Sequence, residues 1–132
     1  MKKPGLRREL DAGFDAVLER LPAALSAEGF GVLTEIDVAG TLKKKLDVDF
    51  RRYRILGTCN PHFAHQLLGM ELDAGVLLPC NVIVYEREGG GTVVNAVDPI
   101  QSIGAFAEGD ERIVELARTV RDKLTRVLDR LT

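Results

Sequence analysis

The chain contains few residues that can carry thiol or imidazole chemistry, with two cysteines and two histidines among 132 residues. All four lie between positions 59 and 80, so thiol chemistry or soft-metal binding is confined to this segment. Three of them, Cys59, His62 and His65, fall within seven consecutive residues. The sequence therefore locates a candidate site, although it does not by itself specify a reaction.

Other absences narrow the class of protein. The charged stretch from Met1 to Gly13 has no apolar run of signal-peptide length, and the most apolar stretch, Ala74 to Tyr85, is too short to span a bilayer. The net charge is −2 at pH 7, which gives no general attraction to nucleic acid. No linker, repeat or low-complexity segment interrupts the chain. We therefore expect one cytoplasmic domain over residues 1–132 with no membrane partner and with reduced cysteines.

Short runs of alternating and β-branched residues predict five strands. The last two are joined by Glu88-Gly89-Gly90-Gly91, which we interpret as a hairpin connection because phosphate-binding glycine loops run from a strand into a helix. In chain order, the predicted strands are Leu6–Leu10, Val32–Val38, Arg52–Thr58, Asn81–Arg87 and Thr92–Asp98.

Helical spacing of apolar residues predicts four helices. Pro22 lies inside the first pattern and is expected to kink this helix or split it near Leu21, because proline lacks an N–H donor. Asp37 is expected to cap the second helix, which carries Leu42 and Leu46 on one face. The helices are predicted from Phe14 to Gly29, after Asp37, from Pro61 to about Leu72 and over about 109–131.

The start of the third helix is the strongest candidate site in the sequence. Asn60 is a favoured helix cap and Pro61 a favoured first helical residue. Cys59 therefore lies next to a helix N-terminus, where partial positive charge favours a thiolate over a thiol. The same N-terminus can hold a carboxylate or a phosphate.

The contribution of Cys80 depends on how the strands are arranged. An antiparallel arrangement would bring Cys59 and Cys80 together, whereas a parallel crossover would separate them by about a strand length. Composition and spacing leave both arrangements open. His62 and His65 are predicted to be neighbours on the polar face of the third helix.

Four blocks of the sequence resemble the domain of unknown function 302 family. The blocks are Glu28–Asp37, Ile55–Pro61, Leu77–Glu86 and Val97–Pro99, and the resemblance covers roughly Phe14 to Pro99. It implies a two-layer α+β sandwich, similar in topology to the TATA-box-binding-protein fold, with a curved, mainly antiparallel sheet and helices on one face. This fold would place the strand ends that carry Cys59 and Cys80 side by side. The resemblance also implies a bacterial or archaeal homodimer with no established activity.

Three functions are compatible with this site. The preferred one is binding of a small anionic ligand or of a soft metal such as zinc, held by Cys59, His62 and Cys80, with water or His65 in the fourth position. The alternative is a thiol enzyme or redox module with Cys59 as nucleophile and Cys80 as resolving thiol. One branch of the family lacks these cysteines, so a thiol role would belong to this branch. Nucleic-acid binding is the weakest hypothesis, because it rests only on the analogy of fold, which does not determine function, and because the net charge is negative. The candidate site comprises Cys59, Asn60, Pro61, His62, Cys80 and Asn81.

Apolar residues are predicted on both faces of the sheet. In one strand, Val82 and Val84 point one way while Ile83 and Tyr85 point the other. If helices cover one face, the other face needs a second cover. We therefore predict a homodimer built on the open sheet face or its edge.

Overall fold

The structure is a computed structural model that describes residues 3–132. Its centre is a curved five-stranded sheet in which every neighbouring pair of strands is antiparallel, in the order β1-β5-β4-β3-β2. The strands are β1 (Leu6–Leu10), β2 (Gly31–Asp37), β3 (Tyr53–Cys59), β4 (Cys80–Glu86) and β5 (Thr92–Ala96). All five predicted strands are present, and the predicted α+β class is confirmed.

Four α-helices accompany the sheet, as the periodicity predicts. They are α1 (Phe14–Ser26), α2 (Val38–Leu46), α3 (Pro61–Met70) and α4 (Glu111–Asp129). Two short helical segments were not expected from the sequence, a 3₁₀ helix over Leu72–Leu77 and a π-helix over Ile100–Gly104. None of the helices within residues 3–132 combines the length and the apolar character needed to cross a membrane.

Pro22 lies inside α1 and does not divide it, so the split near Leu21 is wrong, whereas the kink stays a prediction. Pro22 is exposed, whereas Leu21 and Leu25 lie on the adjacent face of the helix and are fully buried. The backbone carbonyl that loses its N–H partner therefore lies towards solvent, where water can hydrogen-bond to it. Gly29 ends this region as predicted, with a φ of 85° that favours glycine.

The hydrophobic core lies between one face of the sheet and helices α1 and α4. On the sheet side Val82, Val84 and Val94 are fully buried, and on the helix side Leu21 and Leu124 are fully buried. Because side chains alternate along a strand, the intervening residues point to the other face. We call this other face the open face. It carries Thr34, Ile36, Tyr53, Ile55, Gly57, Asn81, Ile83, Tyr85, Val93 and Asn95.

Residues 31–50, which we call the arm, are exposed almost throughout. All seven residues of β2 are exposed, and no residue of α2 is buried. Asp37 caps α2 as predicted, since its carboxylate accepts a hydrogen bond of 3.0 Å from the Gly40 N–H. However, Leu46 is 65% exposed, so the apolar side of α2 does not pack on the core.

β3 and β4 pair antiparallel, as predicted. Their register runs from Tyr53 opposite Tyr85 to Thr58 opposite Cys80. The end of β3, which leads into α3, and the start of β4 therefore lie side by side at one end of the sheet. This end of the sheet contains the candidate site.

Candidate functional site

A cavity of about 340 Å³ lies where β3, β4 and α3 meet. Three of the predicted site residues, Cys59, Asn60 and Cys80, contribute to its wall. The rest of the wall is largely apolar and comes from β2, α3 and the segment before β4. These additional lining residues include Leu33, Phe63, Ala64, Leu68, Leu78 and Pro79.

Most backbone N–H groups in the first turn of α3 already have hydrogen-bond partners within the chain. The Asn60 side chain accepts a hydrogen bond of 3.3 Å from the Phe63 N–H, and the Asn60 carbonyl accepts one of 3.0 Å from the Ala64 N–H. Pro61 has no N–H. Within the part of the chain that the structure describes, the first turn therefore leaves only the His62 N–H for an external acceptor. This arrangement gives little support to an anion site at the helix start.

The start of β4 holds a buried, protonated thiol. Cys80 is 3% exposed. Its burial and, to a smaller extent, the proximity of Cys59 raise the pKa of its thiol to about 11. The backbone carbonyl of Cys80 accepts a hydrogen bond of 2.7 Å from the Thr58 hydroxyl, which is itself fully buried. Cys80 is therefore a neutral thiol at pH 7 and a poor ligand or nucleophile in this state.

The two cysteines are neighbours, although they face different sides of the sheet. Thr58 is the register partner of Cys80, so these two side chains share a face and the Cys59 side chain points to the opposite one. Both thiols are free, and Cys59 is half-buried whereas Cys80 is buried. The predicted proximity of the strand ends is confirmed, whereas their predicted redox partnership stays a prediction.

The other predicted site residues lie outside the cavity wall. Pro61, His62 and His65 are exposed on the outer side of α3, and Asn81 is exposed on the open face. Across residues 3–132, no group of three or more His, Cys, Asp or Glu side chains is arranged to hold a metal ion. The zinc site of Cys59, His62 and Cys80 therefore has no assembled ligand set here and stays a prediction.

Sequence reasoning missed the apolar part of the cavity wall. Phe63, Ala64 and Leu68 belong to the apolar face that the helical spacing predicts for α3, but this pattern alone does not distinguish a cavity wall from solid core. Leu33 enters the wall at an irregularity in β2, where the register with β3 shifts between Val32 and Thr34. Its only sequence signal is an extra apolar residue in the alternating strand.

Comparison with known proteins identifies the family. The sequence profile of the domain of unknown function DUF302 matches residues 6–131, which extends beyond both ends of the stretch that carries the resemblance described above. The crystal structure of an uncharacterized conserved DUF302 protein from Bacillus stearothermophilus is similar, with a TM-score of 0.89 and 32% sequence identity. The similarity covers 99% of this chain and 100% of that chain. No functionally curated protein matches the sequence. The chain therefore belongs to the DUF302 family.

Proposed function

We propose that this domain binds a small, uncharged, apolar molecule in the cavity between β3, β4 and α3. The observation that carries the proposal is the cavity itself, which measures about 340 Å³ and has Phe63, Ala64 and Leu68 in its wall. This volume lies within the range of about 300–1,000 Å³ that is common for small-molecule sites. Burial of apolar ligand surface against these side chains supplies the binding free energy.

The polar groups in the wall favour a neutral ligand over an anion or a metal ion. The Thr58 hydroxyl is already bonded to the Cys80 carbonyl, and the Asn60 side chain is bonded to the Phe63 N–H. No Lys, Arg, Asp or Glu side chain belongs to the described wall. A charged ligand would lose its hydration there without gaining a partner, which is unfavourable.

A fluorescence titration with N-phenyl-1-naphthylamine tests the proposal, because this uncharged dye emits more strongly in an apolar site. We expect saturable binding of one dye per chain. Ala64→Leu extends a side chain into the cavity and should weaken binding by about tenfold or more, the equivalent of at least 1.4 kcal/mol. Gln66→Leu adds an apolar side chain on the exposed side of the same helix and should leave binding unchanged.

Either of two results would overturn this proposal. One is the absence of saturable dye binding by the folded wild-type protein. The other is equal dye affinity in Ala64→Leu and in the wild type, with circular dichroism showing both to be folded.

The metal and thiol alternatives are tested separately. Metal analysis of protein purified without a chelator or an affinity tag would favour the zinc prediction if it found one zinc per chain. Loss of this zinc in both Cys59→Ser and His62→Ala would assign the ligands. Rapid turnover of a disulfide substrate by metal-free protein, abolished in Cys59→Ser, would favour the thiol alternative.

We also propose that the domain is a homodimer that uses its open face. The supporting observation is that this face carries apolar side chains that the core does not cover, including Ile36, which is 47% exposed. Apolar patches of this kind commonly mark interfaces. Sedimentation equilibrium should give twice the chain mass of 14.5 kDa at micromolar concentration. A mass of one chain at every concentration would exclude the dimer.

A further inference from the structure

We infer that the cavity between β3, β4 and α3 selects an apolar molecule that carries one neutral oxygen, a hydroxyl or a carbonyl, and that Thr34 binds this oxygen. Thr34 is part of the cavity wall. The inference rests on the proposed function, since the cavity must first bind a ligand. It adds the orientation of the ligand and the chemical group that the site recognises.

The wall of the cavity has a buried part and a solvent-exposed part. Phe63 and Cys80 belong to the buried part and are 5% and 3% exposed. Leu33 is 65% exposed, and its neighbour Thr34 is exposed as well. A bound molecule therefore loses least hydration when its apolar body lies against the buried part and its polar group lies near Thr34.

An irregularity in β2 brings Thr34 to the cavity together with Leu33. Consecutive residues of a regular strand point to opposite faces, so only one of the two would then reach the wall. The register with β3 shifts between Val32 and Thr34 and leaves Leu33 without a partner residue. An extra residue of this kind is a β-bulge, a feature that re-aims side chains and is common next to functional sites.

Gly57 leaves room for the Thr34 hydroxyl. The two residues are register partners in β2 and β3. A Cβ atom at Gly57 would overlap the Thr34 hydroxyl oxygen and would lie 2.9 Å from Pro79 Cγ. The hydroxyl and the Pro79 ring therefore occupy the space over Gly57, and both residues belong to the cavity wall.

The Thr34 hydroxyl is available for a ligand. Of the hydroxyl and amide side chains in the described wall, Thr58 is bonded to the Cys80 carbonyl and Asn60 to the Phe63 N–H, whereas Thr34 has no partner within residues 3–132. The remaining polar side chains of the described wall are cysteine thiols, which are weak donors and acceptors. Thr34 is therefore the strongest hydrogen-bonding side chain that this wall can offer to a bound molecule.

The chemistry of the wall defines the group that Thr34 recognises. A wholly apolar ligand would displace water from the hydroxyl without replacing its hydrogen bond, which is unfavourable. An ionised group would find no side chain of opposite charge in the described wall. A hydroxyl can both donate and accept, so an alcohol, a phenol or a ketone provides a suitable partner.

Competition between two probes and N-phenyl-1-naphthylamine tests this selectivity. The probes are 2-naphthol and 2-methylnaphthalene, which have nearly the same shape but of which only the first carries an oxygen. Their affinities are measured in the wild type and in Thr34→Val, which keeps the shape of the side chain and removes its hydroxyl. The affinity of the dye is determined separately for each protein, so that a change in dye binding does not alter the comparison.

The ratio of the two affinities reports the hydrogen bond. We expect the preference for 2-naphthol over 2-methylnaphthalene to fall about three- to tenfold in Thr34→Val, the effect of one hydrogen bond. The affinity for 2-methylnaphthalene should change little, because the apolar wall is kept. Thr41→Val is the matched control, since Thr41 is an exposed residue of α2 outside the described wall, and it should leave the ratio as it is in the wild type.

The outcomes separate this inference from the proposed function. An unchanged ratio in Thr34→Val, with both probes still displacing the dye, would overturn the role of Thr34 but leave the apolar cavity as a binding site. A fall of the ratio in Cys59→Ala but not in Thr34→Val would assign the oxygen to the thiol and would also overturn the inference. Absence of saturable dye binding by the folded wild type would overturn both proposals.

Discussion

Two regions of the sheet, the strands β4 and β5 and the edge strand β2, differ in how they are stabilised. β4 and β5 lie beneath α1 and α4, and Val82, Val84 and Val94 are fully buried there. At the other edge β2 and α2 form the exposed arm, in which no side chain is buried. The same sheet therefore contains a region stabilised by the packing of buried side chains and a region that is held to it mainly by the antiparallel pairing of β2 with β3.

The side-chain ion pairs of the arm are individually weak. Arg54 lies 3.4 Å from a Glu35 carboxylate oxygen, and Lys43 lies 3.1 Å from one of Asp47. Exposed ion pairs of this kind contribute little, at about 0–1 kcal/mol each. The arm should therefore open locally at a lower free energy than the rest of the molecule. Four substitutions or conditions test this difference.

The largest effect is expected in the buried region. Leu124→Ala removes a fully buried side chain from α4 and should lower the free energy of unfolding by about 3–4 kcal/mol, as large cavities in cores do. Leu46→Ala makes the same chemical change in the arm, where the side chain is 65% exposed, and should change it by less than about 0.5 kcal/mol. Urea unfolding measures both. A similar loss in the two variants would mean that the arm is covered by other residues in solution.

High pH should act on the buried region through Cys80. The pKa of this thiol is about 11 in the folded protein, against an ordinary value of 9.0. A pKa that is raised on folding gives stability that is complete below pH 9 and is lost as the pH rises towards 11, because the unfolded chain releases its proton first. Two pH units correspond to about 2–3 kcal/mol.

The Cys80→Ala variant isolates this contribution. Its free energy of unfolding should fall less steeply between pH 9 and pH 11 than that of the wild type, and the difference between the two proteins removes the effects of other groups. Tyr53, whose pKa is also raised by burial, is one such group. If the free energy of unfolding depended on pH in the same way in both proteins, burial of Cys80 would not raise the pKa of its thiol.

An ion pair between α4 and the segment after α1 should have an intermediate effect. The Glu28 side chain is 8% exposed and accepts hydrogen bonds of 2.7 Å from Arg126 and 3.0 Å from Arg130, so it connects the segment after α1 to α4. The hydrogen bond from Arg126 and, to a smaller extent, that from Arg130 hold the pKa of Glu28 below its usual range. Glu28→Gln should lower the free energy of unfolding by about 1–2 kcal/mol at pH 7.

The pH dependence of this ion pair has the opposite sign to that of Cys80. A lowered carboxyl pKa gives stability that is present above the ordinary value and is lost as the pH falls through the folded value. The wild type should therefore approach Glu28→Gln in stability in acid. The control Glu35→Gln breaks an exposed pair in the arm and should change stability by about 0.5 kcal/mol or less. Equal losses in the two variants at pH 7 would contradict the difference between the regions.

Local sequence patterns predicted the elements of both regions. The run of β-branched residues Val82, Ile83 and Val84 is typical of a strand, and the helical spacing of apolar residues in α4 follows from burial on one side, so these elements could be recognised before their contacts were known. The position of Cys59 beside Cys80 needed the antiparallel register, which composition leaves open. Periodicity cannot supply such long-range information.

The candidate site shows where sequence reasoning fails. The Asn60 cap and the strand end at Cys59 have local signals, whereas the position of Cys80 beside them was implied only by the family resemblance. The cavity was missed because it is a gap between side chains, such as Ala64 and Leu33, that local patterns assign to core or strand. Packing density is a property of the assembled layers rather than of any one segment.

The smallest effect should come from the cap of α2. Asp37→Ala removes the acceptor for the Gly40 N–H, a change that generally costs about 0.5–1 kcal/mol. In the arm this loss should increase local opening rather than global unfolding, because α2 buries no residue. Amide hydrogen exchange should accelerate by about two- to fivefold in α2, the equivalent of 0.5–1 kcal/mol, while amides of β4 stay unchanged. Acceleration in β4 to the same extent would show that arm and core unfold as one unit, and the two regions would then differ in burial but not in stability.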